Sequence, residues 1–165
     1  MITDYSDSWG SSTKWKRIFF QMMDNWWKSE QTKAIIAKGS KRYKEADLTD
    51  SISKYLPKRL KQYEITNLRP REDSHIPDIR VRTQSGLHTN LSEDVFEVKK
   101  GMAKTGEADR LFGQISNYCE RYGHCFVVIC GGEIKHGYVT EVYRHSRQHK
   151  IENVAIWTPE KNLRF

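Results

Sequence analysis

The segment HCFVVICGG, residues 124 to 132, constrains the fold more than any other stretch of the chain. Cys125 to Cys130 are apolar without a break and two glycines follow. That run is too short for a helix of its own and has no polar side, so it reads as a strand buried on both faces. A sheet holding such a strand needs cover on each side. Its neighbours in sequence are YEITNL, PDIRVRT and DVFEVKK before it and ENVAIWT after it. In PDIRVRT, Ile79 and Val81 alternate with Asp78, Arg80 and Arg82; in DVFEVKK, Phe96 and Val98 alternate with Glu97 and Lys99. QSGLHTNLSE, between these two, has the Gly, Asn and Ser of a hairpin loop.

Helical periodicity fills the remaining segments. EADRLFGQISNYCERY carries a clear apolar stripe through Ala108, Leu111, Phe112, Ile115, Tyr118, Cys119 and Tyr122, and VTEVYRHSRQH reads as a further helix. Leu48, Ile52, Leu56 and Leu60 recur every fourth residue, with Asp47 or Thr49 able to cap and Pro57 expected to end or kink the helix near Tyr55. The order predicts an α/β fold, a mixed sheet flanked by helices.

An extra helix is expected from Ser12 to about Lys38, after a polar tail and before Gly39. At about 100° per residue its aromatic, Ile and Met side chains, from Trp15 to Trp27, spread over roughly 200° of surface. That arc is too wide for one face. Either the helix is wedged between elements of its own domain or it packs on a second subunit, and a homodimer through this helix is one expected use of the surplus. The division is therefore residues 1–40, tail and aromatic-rich helix, and residues 41–165, the α/β domain, together one compact unit of 165 residues.

The formal charge is +7, which favours an anionic partner, nucleic acid ahead of a membrane surface, although solubility also accounts for a positive balance. Neither an apolar run of ~18 residues nor a signal-peptide core is present, so the expectation is a soluble, intracellular, cytoplasmic protein with no membrane partner. Three cysteines in apolar surroundings read as buried free thiols.

Chemistry concentrates at the heads and ends of two strands. Glu97 and Lys99 point to one side of their strand, and antiparallel pairing with the preceding run brings Asp78 to face them. Two carboxylates that close repel unless a cation lies between them. A hard cation such as Mg²⁺, with Mn²⁺ as an alternative, takes oxygen ligands and completes its shell with phosphate oxygens, so the arrangement suits phosphodiesters. Lys99 would help position or deprotonate water and offset transition-state charge.

Pro77 to Lys99, on successive strands with a helix soon after, resembles the PD-(D/E)XK signature of the restriction-endonuclease-like superfamily. That resemblance implies Asp78 and Glu97 as metal ligands, the Val98 carbonyl as a further ligand and Lys99 as the catalytic lysine. Type IV restriction enzymes and archaeal Holliday-junction resolvases also show a glutamine in the helix after the lysine strand, matched here by Gln114. They carry a glutamate in the helix before the first strand, matched loosely by Glu45, with Asp47 and Asp50 competing. The implied function is metal-dependent hydrolysis of DNA by an endonuclease; the alternative is an inactive nucleic-acid-binding module of the same fold.

Arg80, Arg82, Lys100, Lys104, Arg110 and Arg121 are the candidate nucleic-acid contacts, and Gln114 shares one polar edge of its helix with Arg110, Asn117 and Arg121. His75 reads as a bystander more than as a proton carrier. GMAKTG lacks the ending of a phosphate-binding P-loop.

Overall fold

A computed structural model describes residues 14–68, 76–83 and 93–165. The N-terminal tail, His75 and most of the expected hairpin loop lie outside them. The elements are α1 (Lys14–Trp27), α2 (Glu30–Ile36), α3 (Glu45–Arg59), β1 (Tyr63–Asn67), β2 (Ile79–Thr83), β3 (Asp94–Met102), α4 (Glu107–Arg121), β4 (Cys125–Ile134), α5 (His136–Gln148) and β5 (Val154–Trp157). The strands form one sheet in the order β1-β2-β3-β4-β5, antiparallel from β1 to β3 and parallel from β3 to β5. The fold is α/β, with a mixed five-stranded sheet flanked by helices on both faces.

β4 shows why the sheet needs two covers. Phe126, Val128 and Cys130 enter the core beneath α1–α3, while Cys125, Val127 and Ile129 enter the core beneath α4 and α5. The strand runs on through its two glycines to Ile134 instead of ending at them. Opposite, β3 shifts register between Lys100 and Met102, and Gly101 takes φ +77° there. A Cβ at Gly101 would meet the Glu133 carbonyl oxygen at 2.6 Å, so this position requires glycine.

The expected helix over residues 12–38 is two helices. Ser29 breaks it: its side-chain oxygen accepts the Thr32 N–H at 3.3 Å and starts α2 as an N-cap. The α3 helix also departs from expectation, since it runs through Pro57 to Arg59. Pro57 is exposed, and the turn still closes through the Leu60 N–H on the Leu56 carbonyl at 2.8 Å.

The wide arc of α1 packs against its own chain. Trp15, Phe19, Met22, Met23 and Trp26 are buried, and Phe19 sits 4.7 Å from the Phe126 ring and 5.8 Å from that of Phe96. The Trp26 indole N–H donates to Ser51 Oγ in α3 at 3.0 Å. At the helix end, Asp24 takes both Arg164 Nη atoms, at 3.0 and 2.6 Å, which ties α1 to the last residues described. The apolar surface that motivated a homodimer is thus largely consumed within one chain. Among the described residues, no helix is long and apolar enough to cross a membrane.

Phe19→Ala should cost about 3–5 kcal/mol, the range for emptying a buried aromatic site. Urea unfolding measures the loss, and sedimentation velocity should show no change in association state. Unchanged stability with a change in association would return the helix to an interface between copies.

Candidate active site

The site begins where β2 begins. The Asp78 N–H donates to the Phe96 carbonyl at 3.1 Å, and its own carbonyl accepts the Leu68 N–H at 2.9 Å, so the residue is clamped between β1 and β3. Ile79 pairs with Phe96 and Val81 with Asp94. Strand alternation then sends Ile79, Val81, Phe96 and Val98 into the α1–α3 core and turns Asp78, Glu97 and Lys99 towards α4. Asp78 Oδ2 accepts the Val98 N–H at 2.7 Å, so a side chain supplies the next rung of the ladder. The N–H and C=O of one strand residue point to the same edge, which directs the Val98 carbonyl to the side where Asp78 stands.

Glu97, 2 % exposed, has two unlike oxygens. Oε1 accepts Lys99 Nζ at 2.5 Å and Gln114 Nε2 at 2.9 Å. The Tyr118 phenol lies near enough for the Glu97 charge to act on it. Oε2 is buried and has no hydrogen-bond partner among the described residues. From the first turn of α3, Glu45 Oε2 accepts the Lys100 N–H at 3.0 Å, and its charge reaches Glu97.

These neighbours set the proton affinities. Burial first, then the negative charge of Asp78, push Glu97 up to about 7, and Lys99 offsets only part of that. Tyr118 is raised well above the usual phenol range by burial and then by the charges of Glu97 and Asp78, so it remains a donor.

Four buried side-chain atoms lack a hydrogen-bond partner among the described residues: Arg80 Nε, Glu97 Oε2, Gln114 Oε1 and Asn117 Nδ2. Two of them, on Glu97 and Gln114, belong to the hydrogen-bonded pair at the centre of the site, and the other two lie on the elements that carry it. Arg80 is two residues beyond Asp78 on the same side of β2, and Asn117 is one turn beyond Gln114 on α4.

The structure therefore brings Asp78, Glu97, Val98, Lys99, Gln114 and Glu45 together. It also separates Glu45 from its rivals. Asp47 accepts the Lys44 N–H at 2.6 Å as part of the α3 cap, and Asp50 accepts Asn67 Nδ2 at 2.6 Å. Among the basic candidates, Arg82 is paired with Glu93 at 2.8 Å. Lys100 donates to the carbonyls of Tyr43, at 2.6 Å, and Ser40, and lies 4.4 Å from the Tyr43 ring centroid, so it joins β3 to the start of α3. Lys104, Arg110 and Arg121 are exposed around α4, Arg121 over the Tyr122 ring. The GMAKTG turn caps α4: the N–H groups of Ala103 and Lys104 donate to Glu107 Oε2 at 2.8 and 2.7 Å.

Tyr118 belongs to the apolar stripe of α4 by periodicity, which hides its nearness to Glu97. Its signal was position, four residues after Gln114 and so one turn along the same side of the helix. A separate group, Asp109, Glu141 and His145, holds its ligand atoms within 4.8 Å of one another across α4 and α5, where Asp109 is exposed. None of the four unpartnered atoms belongs to it.

No protein-family model matches this chain, and no curated protein or solved structure is significantly similar to it.

The raised Glu97 value carries a pH signature. A carboxyl whose folded pKa lies above its unfolded one destabilises the fold once pH exceeds the folded value, and the penalty vanishes below the unfolded value. The window here runs from about 7 down to the ordinary glutamate value of 4.5. In EDTA, Glu97→Gln should raise the melting temperature at pH 8 and leave it nearly unchanged at pH 4.5. An equal effect at both values would contradict the electrostatic account of this residue.

Proposed function

We propose that the chain is a metal-dependent nuclease of the restriction-endonuclease-like fold that hydrolyses DNA phosphodiester bonds with an activated water. The carrying observation is the Glu97 carboxylate: one oxygen is saturated by donors, the other is buried without a partner, and the Asp78 carboxylate stands beside it. A cation between the two buried carboxylates would answer the open oxygen and relieve their mutual repulsion.

The donor set fits a hard divalent ion, Mg²⁺ with Mn²⁺ as a substitute, because it is made of oxygens alone. Asp78, Glu97 and the Val98 carbonyl would hold it, with Glu45 as the further acidic group. When bound, the ion supplies positive charge to phosphate oxygens and lowers the pKa of water.

The chain's own side chains divide the remaining work. Lys99, anchored on Glu97 at 2.5 Å with its side chain 20 % exposed, sets a cationic group where it can orient water and offset charge building on phosphate. Gln114 fixes the Glu97 carboxylate through a hydrogen bond, so it presents Oε2 in a defined direction. The +7 charge supports a polyanionic substrate, with Lys104, Arg110 and Arg121 exposed around α4.

The test is a cleavage panel on labelled linear, circular, flap and four-way-junction DNA with Mg²⁺, Mn²⁺ or EDTA. Asp78→Asn, Glu97→Gln and Lys99→Ala should each lower cleavage by roughly 10²–10³-fold, the scale of losing one charge-stabilising group. Gln114→Ala should cost less, about tenfold, since it acts through Glu97. Metal-independent cleavage, or wild-type rates in two of the three charge variants, would refute the assignment. DNA binding without any turnover would favour the inactive binding module.

A further inference from the structure

We infer that Arg80 and Asn117 form a second phosphate-binding position beside the carboxylate cluster, so that the site takes a polynucleotide with adjacent phosphates and not a mononucleotide. The inference rests on the phosphodiester reading of the same site and specifies its substrate class.

The four unpartnered atoms are of two kinds. Glu97 Oε2 and Gln114 Oε1 are acceptors, whereas Arg80 Nε and Asn117 Nδ2 are donors. A cation answers the first kind only. Buried N–H groups left without an acceptor cost about 1–3 kcal/mol each, and the two here call for an acceptor. Arg80 adds a charge that no ion pair offsets among the described residues. Arg82 has Glu93, whereas the partners of Arg80 across the sheet are Thr66 and Val95. An anion satisfies both the hydrogen-bonding and the charge requirement, and the Nε edge of a guanidinium suits phosphate oxygens.

Spacing supports a neighbouring phosphate and not the one undergoing attack. Arg80 lies two strand residues from Asp78, about 6.7 Å along the strand. Asn117 lies one helical turn from Gln114, with about 5–6 Å between Cβ atoms. Arg80 is therefore offset from Asp78, and Asn117 from the Gln114 that holds Glu97, by a distance comparable to one phosphate-to-phosphate step along a nucleic-acid strand. One is carried by a strand and the other by a helix, so both are rigidly mounted.

The experiment is fluorescence anisotropy in EDTA, where no metal-dependent cutting occurs, with short labelled oligonucleotides carrying one neutral methylphosphonate at each linkage in turn. In the wild type, neutralising one particular linkage should weaken binding about tenfold. In Arg80→Gln and Asn117→Ala, the same change should cost less than about twofold, because the contact is already gone. Arg80→Lys and Asn117→Ala keep the test decisive if Arg80→Gln fails to fold by circular dichroism. A flat scan in the wild type, or an undiminished loss in the variants, overturns the inference. A chain that shows the pattern but never cleaves refutes hydrolysis and leaves the subsite standing. A chain that cleaves with a flat scan refutes the subsite alone. One that neither binds nor cleaves refutes both.

Discussion

Asp78 and Glu97 repel one another across one ladder of the sheet, and both are nearly removed from water, at 6 % and 2 % exposure. The backbone does not let them separate: Asp78 is clamped through its own N–H and C=O, and Glu97 lies within the β3–β4 ladder ahead of its register shift. The surroundings therefore divide the charge. Asp78 gives an oxygen to the Val98 N–H, Glu97 gives Oε1 to Lys99 and Gln114, and Glu45 gives an oxygen to the Lys100 N–H. Burying charge this way is costly unless each charge is compensated. Glu97 Oε2 is left uncompensated, and the functional reading follows from that atom.

The rest of the fold supplies the rigidity that such a cluster requires. On one face α1 and α3 close an aromatic core over Phe96 and Phe126, and on the other α4 and α5 cover Val95, Val127 and Ile129. Glu97 emerges between residues of the second core, so its position is set by packing above and below it along β3. α4 lies over β3 and β4, which brings Gln114 and Tyr118 down onto Glu97. Asp78 and Arg80 sit next door on β2.

What the sequence made legible was periodic. The unbroken apolar run of β4 required cover on both faces, and the alternation in β2 and β3 put Asp78, Glu97 and Lys99 on one side. What it hid was partner choice. Glu45, Asp47 and Asp50 are equivalent in composition, and only the docking of α3 sends Glu45 to β3 while its rivals bond Lys44 and Asn67. The sequence does not reveal that Lys100 donates to the Tyr43 and Ser40 carbonyls or that Arg82 pairs with Glu93. Tyr118 joins an apolar stripe by its ring and the site by its hydroxyl, a duality that periodicity does not resolve. The break at Ser29 escaped because apolar residues recur on both sides of it, while the cap depends on one side-chain bond to Thr32.

The central claim is that this carboxylate cluster holds a divalent ion. Titration of the metal-free protein with Mn²⁺ at pH 8, followed by electron paramagnetic resonance of the free ion, tests it without reference to any substrate. The account predicts saturable binding that is lost in both Asp78→Asn and Glu97→Gln and is displaced by Mg²⁺. Absence of saturable binding, or binding unchanged in both variants, would contradict it.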